Sequence, residues 1–118
     1  MKIVLNTIPP TINKYIGKTN SCWMYEKDKK EYTKAVVLQT IGINPKIKAC
    51  EMVITFYHKD NIRRDSHNYL KQLLDALVES NIIVDDNDKV IQKLTIIGKI
   101  DKRKPRIEID IEEISGMV

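Results

Sequence analysis

Two short stretches of this sequence collect side chains that a folded core does not require. One is Arg63-Arg64-Asp65-Ser66-His67-Asn68, followed by Lys71 and Asp75. The other is Asp85-Asp86-Asn87-Asp88, directly after the apolar Ile82-Ile83-Val84. Carboxylates this close repel one another unless a cation sits among them. Hard oxygen donors on a loop suit Mg2+, and Mn2+ accepts a nitrogen among them more readily. Successive helical residues turn by about 100°, so His67, Lys71 and Asp75 share one helix face. Acids from two separated segments, with arginines and a lysine nearby, suit metal-assisted phosphodiester hydrolysis. The metal would activate water and neutralise charge on the phosphate, while the cations hold the backbone and stabilise the leaving oxygen.

Each feature also has a purely structural reading. Asp65 suits a helix N-cap, and His67 a solvated position on an early helical turn. Asp and Asn favour turns, so residues 85–88 read equally as an acidic turn. Lys71 pairs naturally with Asp75 at i+4. A calcium-binding EF-hand is excluded, because Ile91 stands where that loop needs glycine.

A third stretch is basic. The chain of 118 residues has 20 Lys and Arg against 16 Asp and Glu, a net charge of +4, with a pI near 9.0. Within residues 99–106, Lys99, Lys102, Arg103, Lys104 and Arg106 face Asp101 alone. That segment carries as much net charge as the whole molecule. It suits either a solvated hairpin tip or a contact for phosphates.

The elements that must position these groups follow from periodicity. Residues 2–7 form a short β-branched strand that Pro9-Pro10 cannot continue. Residues 11–23 are polar and aperiodic, a loop. From about residue 26 to 41, Tyr32, Ala35, Val36 and Leu38 recur at helical spacing, with Gly42 as a left-handed cap and Pro45 barring resumption. Residues 51–58 alternate, with Met52, Ile54 and Phe56 on one face. Leu70, Leu73, Leu74 and Leu77 make an amphipathic helix for which Asp65 is a cap. Val90, Leu94, Ile96 and Ile100 lie on one side of a third strand. Ile107, Ile109 and Ile111 alternate with acids in a fourth, and residues 102–105 join the two as a hairpin turn. The order β-α-β-α-β-β predicts one α+β domain over residues 1–118, a mixed sheet with two helices on one face. The other face must meet water or be covered, and a homodimer is an ordinary cover.

Composition excludes other classes. With 42% hydrophobic and 31% charged residues wholesale disorder is ruled out. No run of about 18 apolar residues could span a membrane. Residues 1–6 lack the regions of a signal peptide. Two cysteines, Cys22 and Cys50, are too few for a cysteine-rich zinc site, and with no CxxC pair they fit a reducing, cytoplasmic setting.

The motifs together resemble the RusA-type Holliday-junction resolvases, small endonucleases often encoded by phages and prophages. The likeness rests on Arg64-Asp65-x-His67-Asn68-x-x-Lys71-x-x-x-Asp75-Ala76-Leu77, then Asp85-Asp86 before a strand. Pro9-Pro10-Thr11-x-Asn13-Lys14 is similar to the family's N-terminal element. The resemblance implies a RusA-like fold and a homodimer that makes paired, symmetric cuts in four-way DNA junctions with Mg2+ or Mn2+, serving recombination and repair, with no small-molecule cofactor and no membrane. It implies Asp65, Lys71 and Asp86 as catalytic residues, and Asp65, His67, Asp85 and Asp86 as the metal set. Asn68 and Asp75 also fall on motif positions, Asp75 in a structural role. DNA contacts would come from Asn13, Lys14, Arg63, Arg64, Lys102, Arg103 and Lys104. The family commonly has a second aspartate where this chain has His67. Neutral imidazole can replace it as a ligand, but the lost negative charge weakens Mg2+ binding. The alternative is therefore a catalytically inactive protein of the same fold that binds structured nucleic acid. A third reading is an interaction protein with a merely solvated basic loop.

Overall fold

In a computed structural model the chain is described over residues 1–6, 21–60 and 67–114, without the side chains of 21–25 and 67–68. Four strands and two helices follow one another as β1 (Lys2–Leu5), α1 (Ser21–Gln39), β2 (Cys50–His58), α2 (His67–Glu79), β3 (Ile91–Ile100) and β4 (Arg106–Glu113). The expected element order and α+β class are therefore observed. The sheet is mixed, in the order β1-β4-β2-β3.

The register shows why one face is apolar. Met52 lies opposite Ile111, Ile54 opposite Ile109 and Phe56 opposite Ile107. Ile3 and Leu5 of β1 continue the same rows beyond Ile109 and Ile107, and Leu94 and Ile96 of β3 extend them on the other side. Side chains alternate along a strand, so these residues all point to one side. There they form a single core with Tyr32 and Val36 of α1 and Leu73, Leu74, Ala76 and Leu77 of α2. Each large aliphatic residue fully buried in this way contributes about 1.5–3 kcal/mol.

Helix α1 includes Ser21, so residues 21–23, expected in a loop, are helical. Among the described side chains of α1, only Tyr32 and Val36 are buried, whereas Leu38, expected beside them, is 67% exposed. The helix gives way after Gln39 to a turn in which Gly42 takes φ +85°, a conformation that L side chains rarely adopt. The backbone N–H of Asn6 donates to Gln39 Oε1 (2.8 Å), tying the end of β1 to the end of α1.

The third and fourth strands do not form the expected hairpin. Strand β3 runs parallel to β2 on one edge, and β4 runs antiparallel to β2 on the other. Helix α2 supplies the crossover that a parallel pair needs. Two strand spacings are about 10 Å, within reach of a five-residue link. The segment 101–105 thus passes over the end of β2, where Asp101 N–H donates to the His58 carbonyl (2.8 Å). Alternation alone cannot tell adjacent strands from strands flanking a third. Val90 precedes β3, and Ile100 at its far end is 52% exposed. Among the described residues no helix is long and apolar enough to cross a membrane.

Candidate active site and nucleic-acid interface

The acidic turn is held from both ends. Upstream, Asn81 adopts φ +61° and closes α2. Its N–H donates to Val78 O and that of Ile82 to Leu77 O, each at 3.0 Å, the paired bonds of a Schellman motif. Residues 81–84 then run beside residues 46–47. Lys46 N–H donates to Asn81 O (3.0 Å), Ile47 N–H to Ile82 O (3.0 Å), and Val84 N–H to Ile47 O (3.1 Å). Ile82 and Ile83 are both buried in the core. Downstream, the Asn87 side-chain oxygen accepts the N–H groups of Lys89 (3.0 Å) and Val90 (3.2 Å). The Asn87 carbonyl accepts those of Val90 (3.1 Å) and Ile91 (2.9 Å).

Within that frame the acids divide their tasks. Asp85 folds onto its own turn, with Oδ1 accepting Asp86 N–H (2.7 Å) and Oδ2 accepting Asn87 Nδ2 (3.1 Å). Asp86 instead faces α2, its Oδ2 lying 3.7 Å from Lys71 Nζ. Lys71 Nζ is also 3.1 Å from Asp75 Oδ1. The i+4 partnership read from sequence is therefore observed, and Asp86 joins it from a different element. Asp75 first, and then Asp86, raise the Lys71 ammonium above the usual lysine value. The Lys71 side chain is 72% exposed, and pairs so wet contribute little stability. Their consequence is position: two carboxylates and one cation meet at the surface of α2.

Asn13, Lys14, Arg63, Arg64 and Asp65 lie outside the described residues. The backbone of His67 and Asn68 opens α2, but their side chains are not described, so the expected cap at Asp65 and the His67 ligand stay as expectations. Among the described residues no three His, Cys, Asp or Glu side chains gather to hold a metal ion. Carboxylate oxygens such as those of Asp86 are the donor type that a hard divalent ion takes.

The basic segment is equally constructed. Asp101 Oδ1 accepts the N–H groups of Arg103 and Lys104, both at 3.1 Å. Asp101 Oδ2 pairs with an Arg106 terminal nitrogen at 2.7 Å. Arg106 Nε donates to Glu108 Oε2 (2.6 Å), and Glu108 Oε1 pairs with Lys2 Nζ (2.9 Å). The Arg106 guanidinium lies 3.9 Å from the centre of the Tyr57 ring, a cation–π distance. Arg106 is therefore occupied within the fold, while Lys102, Arg103 and Lys104 are exposed. Arg106 holds the Asp101 carboxyl below the ordinary value, helped by the two backbone donors. Lys2 and then Arg106 do the same for Glu108.

Sequence reading did not single out Asp101 or Glu108. The signal was present in the spacing of Asp101 two and three residues before Arg103 and Lys104, the pattern of a side chain closing a turn. It also passed over His58, which continues the apolar row of β2. The His58 ring stacks on Phe56 (centroids 6.2 Å apart, planes at 7°) and tilts against Tyr69 in the first turn of α2.

A family model described as endodeoxyribonuclease RusA matches residues 7–112. The chain belongs to the RusA endodeoxyribonuclease family. The matched span includes the acidic turn, α2 and the basic loop, along with every candidate residue named above. No curated protein matches the chain. RusA membership points to a hydrolase that cuts DNA internally. It also gives the meeting of Lys71 with Asp86 a chemical context that neither turn nor helix supplies alone.

Proposed function

We propose that this RusA-family chain is a divalent-metal-dependent resolvase that cuts four-way DNA junctions as a homodimer. The observation that carries the reading is the approach of Asp86 to Lys71, which brings the acidic turn to the polar face of α2. Asp65 and Asp86 would hold Mg2+ or Mn2+, with His67 as a further ligand. When bound, the ion would activate water and neutralise charge on the phosphate. Asp85, whose oxygens serve its own turn, would act by fixing the direction of Asp86. Asp75 holds the Lys71 ammonium, which stabilises the scissile phosphate or the leaving oxygen.

DNA backbone contacts come in this reading from Asn13, Lys14, Arg63, Arg64, Lys102, Arg103 and Lys104. The basic loop lies over the end of β2, the strand that precedes Arg63 and Arg64 in the sequence. A two-fold dimer on a nearly symmetric junction accounts for paired cuts. Half-exposed Val4 on the outer sheet face marks a surface suited to such a contact.

The test is cleavage of a synthetic four-way junction with and without Mn2+, comparing native protein with Asp86→Asn. Cutting that needs the metal and falls by about 100-fold or more in the variant, with junction binding kept, is the expected result. Retained cutting in a variant that still binds would overturn the metal assignment. The presence of His67 favours one second reading, a non-cutting junction-binding protein. That reading requires salt-sensitive binding with no cleavage at any metal concentration.

A further inference from the structure

Of the five cations in residues 99–106, the fold occupies one and exposes the three that stand together. We infer that Asp101 is a positioning residue for DNA binding: it orders the loop that presents Lys102, Arg103 and Lys104 to the phosphate backbone. This inference rests on the reading of that loop as a DNA contact, and extends it to a residue of the opposite charge.

Asp101 has four bonds, and each fixes a different part of the loop. Its N–H is anchored to the His58 carbonyl at the end of β2. One carboxylate oxygen gathers the N–H groups of Arg103 and Lys104, which sets the backbone of the exposed cations. The other oxygen grips Arg106, whose terminal nitrogen also donates to the Lys104 carbonyl (2.9 Å). Arg106 is itself held by Glu108 and stacked on Tyr57, and Glu108 is held by Lys2. The loop is thereby tied to β1, β2 and β4. A loop backbone ordered before binding loses less conformational freedom when DNA arrives, which strengthens association without any additional interaction.

A purely electrostatic account makes the opposite prediction for Asp101. An acid among phosphate-binding cations weakens attraction for DNA, so removing it should tighten binding. The positioning account predicts that Asp101→Ala weakens it although the net charge rises. Asn retains a side-chain oxygen for the two backbone donors and closes such turns well. Asp101→Asn therefore keeps the turn closed while releasing Arg106, as Ala does. The two substitutions change charge equally, both lose the Arg106 pair, and differ in the turn.

The experiment is equilibrium binding of the full chain to a synthetic four-way junction in EDTA, between about 50 and 200 mM salt. Expected for Asp101→Ala is a junction Kd raised about 5–10-fold, with a salt slope shallower by about 1, the change that follows when one fewer phosphate is neutralised. Asp101→Asn should bind at least as tightly as the native chain. A triple variant, Lys102→Ala with Arg103→Ala and Lys104→Ala, should flatten the slope by up to about 3. Thermal melts verify that each variant is folded. If Asp101→Ala binds as well as native or better while the triple variant is weakened, the positioning role is wrong and the loop still contacts DNA. If the triple variant binds normally, the loop is not a DNA contact and both readings fall.

Discussion

The acidic turn at 85–88 and the basic loop at 101–105 are built by one device and end with opposite surfaces. In each, a short polar side chain accepts two successive backbone N–H groups: Asn87 from Lys89 and Val90, Asp101 from Arg103 and Lys104. In each, one charged residue of the cluster serves the fold. Asp85 closes its own turn, and Arg106 braces the loop against the sheet. What remains is Asp86, turned toward Lys71, with exposed Asp88 in one case, and Lys102, Arg103 and Lys104 in the other. A count of charges therefore overstates what a cluster offers to a ligand. The geometry separates charges that build from charges that are presented.

That contrast breaks most sharply at the presented residues. Asp86→Asn should abolish metal-dependent cutting by about 100-fold or more while leaving junction affinity near native. The triple loop variant should do the reverse, weakening binding but sparing the rate at saturating junction, measured in single turnover. A loop variant that slows chemistry at saturation would show that the two regions do not divide the work.

The building residues should give smaller and more graded effects. Asn87→Ala removes the acceptor for two backbone donors, and loss of such a cap costs about 1 kcal/mol of stability in urea unfolding. It also loosens the frame around Asp86, so cutting should fall by about tenfold, because small misplacements of a reacting group are costly. Asp85→Asn keeps an oxygen for the Asp86 N–H, and should fall by less.

The smallest effects come from pH, and they lie at opposite ends of the scale. Asp101 and Glu108 titrate below their ordinary values in the folded chain. Their contribution is complete above the unfolded carboxylate range of about 3.9–4.3 and fades as pH falls through the folded values. Lys71 is raised, so its pairing contributes fully below about pH 10.4 and is lost as pH rises through the folded value. Stability curves of Arg106→Gln and Lys71→Gln should thus converge on native at the acid and the alkaline limit respectively. Convergence at the same end would deny the proposed split.

Much of this was legible along the chain because it depends on short-range periodicity. The leucine stripe of α2, the alternation of Met52, Ile54 and Phe56, and that of Ile107, Ile109 and Ile111 each settle an element and its buried face. The pairing of Lys71 with Asp75 follows from helical spacing alone. Strand neighbours were not legible. The same alternation suits β3 and β4 whether they pair or flank β2, and only the order β1-β4-β2-β3 decides between them. Nor could sequence place Asp86 beside Lys71, fifteen positions away, or withdraw Arg106 from the surface onto Tyr57 and Glu108. Local patterns fix which side chains share a face, whereas meetings between faces depend on how buried segments such as Ile82-Ile83 dock against the rest of the core.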